Sequence, residues 1–389
     1  MTRPLKIAVI AGEVSGDLLG GDIIARLKQI YPGEITLVGV GGEALIGQGL
    51  TSLFDFSELS VMGLTQVLKR LPRFIQLIGL TSRAIIAEKP DLLLIIDSPD
   101  FTHRVARKVR AALPDLPIVN YVCPSVWAWK EYRAKAMLSY VDRVLAVLPF
   151  EPEVMQRLGG PETLFIGHRL TADRHVLETR QRRAERPLDP TPRTVLLLPG
   201  SRRGEISALL PVFGEAMSEF VRRNGETRFI LPTVPRQEAL VRQIISDWSL
   251  KPEIVVGQDA KWRAFAEGDA AMAASGTVLL ELALCGIPAV STYKGDMLMT
   301  LFSSRIRIWT AALPNLIADY AVIPEYMNAA LRPGALVRWM ERLTTDTIQR
   351  EVMQKGFDTV WARLRTEVPP GEAGARHMLD LLRSRNLIS

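Results

Sequence analysis

The sequence predicts an α/β protein of two successive domains, each a parallel sheet wrapped in helices, facing one another across a cleft. Three observations carry this reading. Short apolar runs alternate with segments of helical period, the rhythm of βα units laid over a parallel sheet. The rhythm lapses between Arg169 and Arg193, where arginine, proline and threonine dominate, and then resumes, so 169–193 reads as a linker. Glycines, hydroxyls and carboxylates follow the apolar runs directly, at the carboxyl edges of the strands, where open α/β sheets bind ligands.

Leu5 to Ile10 is a β-rich run, followed by the turn Ala11-Gly12-Glu13-Val14-Ser15-Gly16-Asp17 and a helical segment to Gln29, the opening of a Rossmann-like unit. Its glycines permit a tight turn, and the helix start offers amides to an anion or is an ordinary connection. Gly12-x-x-x-Gly16 does not match the G-x-G-x-x-G dinucleotide fingerprint, which disfavours a nicotinamide cofactor. Thr36 to Gly42 repeats the strand and glycine turn. Leu64, Val67, Leu68, Leu71, Phe74, Ile75 and Ile78 then recur at helical spacing beside Lys69, Arg70 and Arg73, with Pro72 as a potential kink. Such a segment is a core-facing helix with a solvated basic side or, if the substrate is a lipid, a membrane-surface element.

Leu92 to Ile96 is apolar throughout, as a strand buried on both faces must be. Asp97 follows it directly and Pro99 ends the ladder, so Asp97 and Asp100 belong to the sheet edge as helix caps, structural acceptors or catalytic acids. Helix 104–112 and strand 117–122 lead into Cys123-Pro124-Ser125-Val126-Trp127-Ala128-Trp129-Lys130, whose paired tryptophans are unusual for a plain connector and can plug the core. Strand 142–148, Pro149-Phe150-Glu151 and Phe165 to His168 close the first domain, 1–168.

The second domain, 194–345, starts with the buried run Thr194 to Leu198 and the turn Pro199-Gly200-Ser201-Arg202. A glycine, a hydroxyl and a guanidinium fork at a strand-to-helix turn suit a phosphate, and equally an exposed loop. Ser275-Gly276-Thr277 opens a helix that carries Glu281, and Asn315 and Glu325 sit in polar loops beyond it. Residues 346–389 read as helices that pack back on the first domain.

A net charge of +6 and a pI near 9.4 favour an anionic partner, and with no nucleic-acid-binding signature a phosphorylated substrate or membrane surface is preferred over nucleic acid. Cys123 and Cys285 lie in no CxxC and beside no histidine spacing, so no metal site is expected. No apolar run approaches the roughly 20 residues of a membrane span and no signal peptide is visible, so a cytoplasmic location is expected.

Together the segments AGEVSGD (11–17), SVMGL (60–64), IDSPDF (96–101), YVCPSVWAWK (121–130), LPFE (148–151), FIGH (165–168), LPGSR (198–202), SGT with Glu281, and LPN (313–315) resemble the lipid-A-disaccharide synthases over nearly the whole chain. The chain departs from their usual pattern at Thr102, Cys123, Arg169 and Asn328, none of which removes a carboxylate or the Arg202 fork. The resemblance implies a glycosyltransferase-B fold. It also implies inverting transfer of 2,3-diacylglucosamine from its UDP conjugate to the 6-hydroxyl of 2,3-diacylglucosamine 1-phosphate, giving a β-1,6 linkage and UDP. A UDP-sugar epimerase of the same fold and a non-enzymatic membrane-associated protein are the competing readings.

On that resemblance Asp97 is the expected base with Asp100 second, and Glu13, Ser15 and Asp17 are expected to hold sugar hydroxyls. Ser201, Arg202, Ser275, Gly276 and Thr277 are expected to receive the UDP charge without a metal or other cofactor. Glu281 is assigned to the ribose, and Asn315 and Glu325 to the donor. Leu64, Val67, Leu68, Leu71, Phe74 and Ile75 become a face for acyl chains and the inner membrane, with the protein peripheral on its cytoplasmic side.

Overall fold

In a computed structural model of the chain, the structure is described for residues 3–59, 64–185, 191–295 and 308–388, and for 64–70 through the backbone alone. The chain divides into two compact units, Met1–Arg169 with Thr366–Ser389, and Leu170–Arg365.

The first unit runs β1 (Leu5–Ala11), α1 (Val14–Ile30), β2 (Ile35–Val40), α2 (Glu43–Ile46), α3 (Leu64–Glu88), β3 (Leu92–Ile96), α4 (Pro99–Ala112), β4 (Ile118–Tyr121), α5 (Tyr132–Met137), β5 (Arg143–Ala146), α6 (Glu151–Arg157) and β6 (Glu162–Phe165). The strands are parallel in the order β2-β1-β3-β4-β5-β6, so β3 lies inside the sheet. Its five residues alternate between two cores, which is why none is polar. Leu92, Leu94 and Ile96 face Ile23, Ile24 and Leu27 of α1, whereas Leu93 and Ile95 face Ile78, Phe101 and Val105 of α3 and α4. Ala11 pairs with Ile96 and Ile96 with Tyr121, so the turns after β1, β3 and β4 emerge side by side at one edge.

The second unit runs α7 (Arg174–Ala184), β7 (Arg193–Leu198), α8 (Arg203–Asn224), β8 (Thr227–Thr233), α9 (Glu238–Ile244), β9 (Glu253–Val256), α10 (Gln258–Glu267), β10 (Ala270–Ala274), α11 (Thr277–Leu284), β11 (Ala289–Tyr293), α12 (Leu313–Ala318), β12 (Glu325–Met327), α13 (Pro333–Leu343) and α14 (Ile348–Leu364). Its parallel order is β12-β11-β10-β7-β8-β9. Leu198 pairs with Ala273 and Thr233 with Val256, which brings the turns after β7, β8, β9 and β10 to a common edge.

Two segments differ from the expectation. The stretch 169–193 contains α7, capped by Asp173, whose side chain accepts from the His175 and Val176 amides. Its arginines, which read as linker composition, are donors to this unit: Arg180 reaches the Leu284 carbonyl at 3.1 Å and Arg183 the Gly286 carbonyl. Of the C-terminal helices, α14 stays with the second unit. The last helix, α15 (Pro370–Ser384), joins the first, where Met378, Leu379 and Leu382 share the core of α1.

Candidate functional site

At the edge of the first sheet the backbone is held in unusual conformations. Asp97 and Ser98 have φ of 50° and 44°, and Val122, at the neighbouring strand end, has 72°. Consecutive non-glycine residues in the left-handed region cost about 1–3 kcal/mol each, and such strain gathers where a side chain must be aimed. The turn is fastened from several sides. The Asp97 amide donates to the Tyr121 carbonyl at 3.1 Å, the Thr102 hydroxyl donates to the Asp97 carbonyl at 2.7 Å, and Pro99 starts α4 at once. Gly12 makes room for it: a Cβ there would lie 2.4 Å from the Ser98 hydroxyl oxygen, so the turns after β1 and β3 touch. Among the described residues no hydrogen bond or ion pair engages the Asp97 carboxylate. Of the three roles open to it from the sequence, capping and structural bonding are thereby unfilled.

Asp100, in the first turn of α4, has a side chain 76 % exposed and 3.6 Å from an Arg133 nitrogen. Glu13 and Ser15 are exposed beside Gly12. Asp17 departs from its expected role. It is 4 % exposed, and its carboxylate accepts the amides of Gly42, Ala44 and Leu45 at 2.7, 2.9 and 3.2 Å, capping α2. Asp17 is the fourth residue of α1, and the helix already points it inward.

The second sheet edge encloses a cavity of about 510 Å³ lined by Ser201, Arg202, Thr233, Lys261, Thr277 and Glu281, with Gly276 beside them. Gly276 precedes α11 and carries no side chain to cap it, so the helix start presents its amides and positive dipole end to the cavity. The Lys261 ammonium donates to both Glu281 oxygens at 2.9 Å and lies 4.2 Å from the Trp262 ring centroid. Among the described residues the Thr233 hydroxyl, buried on the same wall, has no hydrogen-bond partner. The sequence does not single out Lys261 and Thr233, which only the strand order brings to this edge, or Glu205, which reaches it from the first turn of α8.

The turn after β7 is less open than its composition suggests. Glu205 accepts from the Ser201 and Arg202 amides at 3.3 Å each and from the Arg202 guanidinium at 2.9 Å. Gly200, at φ 104°, admits it, because a Cβ would sit 2.3 Å from a Glu205 oxygen. Lys261 is likewise held by Glu281, so the start of α11 is the part of the cavity most open to an anion.

Asn315 and Glu325 are absent from this cavity's lining and brace a loop instead. Asn315, 1 % exposed, donates to the Ile323 carbonyl at 2.9 Å and accepts the Val322 and Ile323 amides at 2.9 and 2.8 Å. Glu325 accepts the Ala311 amide at 3.0 Å and the Thr310 hydroxyl. With its amide group committed to backbone, Asn315 has nothing left for a donor sugar.

On α3, which continues through Pro72, the side chains of Leu64, Val67 and Leu68 lie outside the described residues. Leu71 and Ile75 are exposed, at 42 % and 53 %. Phe74, assigned to the acyl-facing set, is turned inward instead, its ring edge-on to Phe101 at 5.4 Å. A helix has one side for each, and Phe74 shares the core-facing side with Leu77 and Ile78.

The paired tryptophans separate as well. Trp127 donates to Glu151 at 3.2 Å, while Trp129 is exposed beneath the Lys130 ammonium, 3.9 Å from its ring centroid. Burial raises the Glu151 pKa to about 7 against the pull of its Leu148, Trp127 and Val147 donors, and burial with Arg107 and Arg133 lowers that of His103 to about 4. The consequences for stability oppose. Between about pH 4 and 6.5 the unfolded chain protonates His103 more readily, so stability falls as pH drops; between about 4.5 and 7 it deprotonates Glu151 more readily, so stability falls as pH rises. Urea melts of wild type and His103→Asn should show the wild-type advantage shrinking by up to about 3 kcal/mol from pH 6.5 to 4. A pH-independent difference would mean that His103 titrates alike in the folded and the unfolded chain.

Two successive units, each a six-stranded parallel sheet wrapped in helices, define a protein of the glycosyltransferase-B fold. Solved structures agree on the fold: the UDP co-structure of MnaA from S. aureus superposes with TM-score 0.62 at 14% identity over 99% of this chain and 98% of that one. MurG from Acinetobacter baumannii does so with TM-score 0.55 at 14% identity over 98% and 99%. The chain belongs to the lipid-A-disaccharide synthase family, whose sequence profile, described as lipid-A-disaccharide synthetase, matches residues 7–363. A relative of that name from Nitrobacter winogradskyi is 44% identical over 384 residues, covering 97% of this chain and 96% of the relative. Another, from Rhodopseudomonas palustris, is 43% identical over 382 residues, again 97% and 96%.

Proposed function

We propose that the protein makes the lipid A disaccharide by moving 2,3-diacylglucosamine from its UDP conjugate to the 6-hydroxyl of 2,3-diacylglucosamine 1-phosphate, with inversion. The observation that carries the mechanism is the unengaged carboxylate of Asp97 on its strained turn. Asp97 takes the proton of the acceptor 6-hydroxyl as that oxygen bonds to the anomeric carbon, and the bond from that carbon to UDP breaks on the opposite face. Glu13 and Ser15, exposed beside Gly12, are positioned to order sugar hydroxyls.

The charge that develops on UDP is met by the start of α11, by Lys261 and by the part of Arg202 that Glu205 leaves free. Ser201 and Ser275 add hydroxyls on the same wall, and Glu281, steadied by Lys261, accepts from the ribose. Thin-layer analysis of product from the two lipid substrates tests the reading, and conversion of the UDP-sugar to an isomer without acceptor would replace it with epimerisation. With fixed cations at the diphosphate, EDTA is expected to leave turnover within twofold, and strict dependence on Mg²⁺ would refute that part. UDP should raise the melting temperature of the second unit, since it binds only the native state.

Among the described residues no helix is long and apolar enough to cross a membrane. Leu71 and Ile75 supply an exposed apolar pair on α3, which supports peripheral attachment to the inner membrane, each buried methylene contributing about 0.8 kcal/mol. Leu71→Ser with Ile75→Ser should move the protein from the membrane to the soluble fraction with its melting temperature kept. An unchanged distribution would remove this face from the attachment.

A further inference from the structure

The first unit holds a second cavity, about 420 Å³, between α4 and α5, and its wall is cationic. Arg104 and Arg107 lie three residues apart on α4, hence on one face, and Arg133 approaches from α5, while Asp100 is the one carboxylate in the lining. Among the described residues nothing engages the Arg104 guanidinium. The Arg107 group lies 4.7 Å from the Tyr140 ring centroid and donates to its hydroxyl at 3.2 Å; that hydroxyl is 3.0 Å from Nδ1 of His103. Tyr140 and His103 are buried, so this part of the wall is fixed before any ligand arrives. Three guanidiniums with so little carboxylate nearby repel one another, and after burial the field of Arg107 and Arg133 helps to keep His103 neutral. A compact anion between them would offset that repulsion, and planar guanidinium forks match phosphate oxygens.

We infer that this cavity binds a phosphomonoester and that, resting on the function proposed above, its occupant is the anomeric phosphate of the acceptor. Pro99 and Asp100 of its wall follow Asp97 in the same turn, so the group that anchors the acceptor and the group that deprotonates it are set by one segment of chain. A phosphate held here would select the phosphorylated sugar over the same diacylglucosamine without it.

The test uses the full chain in neutral detergent micelles with both acceptors. For wild type, removing the phosphate should lower kcat/KM by roughly a hundredfold. Arg104→Gln with Arg133→Gln should raise KM for the phosphorylated acceptor about tenfold or more, leave KM for the UDP-sugar unchanged, and cost nothing on the unphosphorylated acceptor. Arg104→Lys with Arg133→Lys should recover part of the loss. Separately, inorganic phosphate should raise the melting temperature of wild type and not of the glutamine pair, a readout that stands even if no disaccharide forms. No turnover by wild type with phosphate protection intact would overturn the proposed function and keep the anion site. Equal losses on both acceptors, or phosphate protection unaltered by the substitutions, would overturn the inference. So would weaker binding of the pair to phosphatidylglycerol vesicles with acceptor KM unchanged, which would make the occupant a lipid headgroup.

Discussion

Asp97→Asn is expected to lower turnover by about 10³-fold or more while UDP still raises the melting temperature as in wild type. Asparagine is the conservative choice on two grounds. It keeps the size of the side chain, and it tolerates the left-handed backbone that residue 97 adopts at φ 50°, so the turn and the start of α4 should survive. What it removes is the capacity to take a proton. General-base assistance contributes about 10²–10⁴-fold, so single-turnover measurements with both lipid substrates should detect the loss directly. Activity within tenfold of wild type would end the assignment. Asp100 would then be the next acid, although a side chain 76 % exposed and 3.6 Å from Arg133 is poorly placed to share a dry pocket with a sugar hydroxyl.

The parts of this protein that were legible in its sequence are those written in consecutive residues. An unbroken apolar run followed at once by Asp97 and Pro99 is a buried parallel strand with an acid at its carboxyl end, and β3 is that. The Ser275-Gly276-Thr277 start of α11 was visible for the same reason. What stayed hidden depends on which strand lies beside which. Lys261, one lysine in an ordinary-looking helix, meets Glu281 because α10 follows β9 and α11 follows β10 at a shared edge. Glu205 could be seen as a helix-start acid, but its occupation of the Ser201 and Arg202 amides is a matter of rotamer and of Gly200. The arginine-rich 169–193 stretch looked like linker because its helix is bound to the second unit by guanidinium-to-carbonyl bonds, which leave no apolar period to read. Phe74 shows the converse: the helical period was right, but the period does not reveal which side of α3 meets the core.

Asp17→Ala should produce the largest loss of stability among the acids of the first unit, about 3–5 kcal/mol by urea unfolding, and the reason lies in where its bonds go. The carboxylate accepts three amides from the turn after β2 and the start of α2, in a position 4 % exposed. Alanine strands three donors, two of them buried and the Ala44 amide partly so, and each unmet buried donor costs about 1–3 kcal/mol before the turn relaxes. Asp17→Asn keeps one acceptor oxygen, so it should lose roughly half as much and, below its melting temperature, turn over within a few-fold of wild type. The pairing with Asp97→Asn separates the two acids that the sequence placed together: one change spares the fold and removes the chemistry, the other weakens the fold and spares the chemistry. If Asp17→Asn instead melts as wild type does and fails to turn over, its carboxylate is free for substrate and α2 must be capped by some other group.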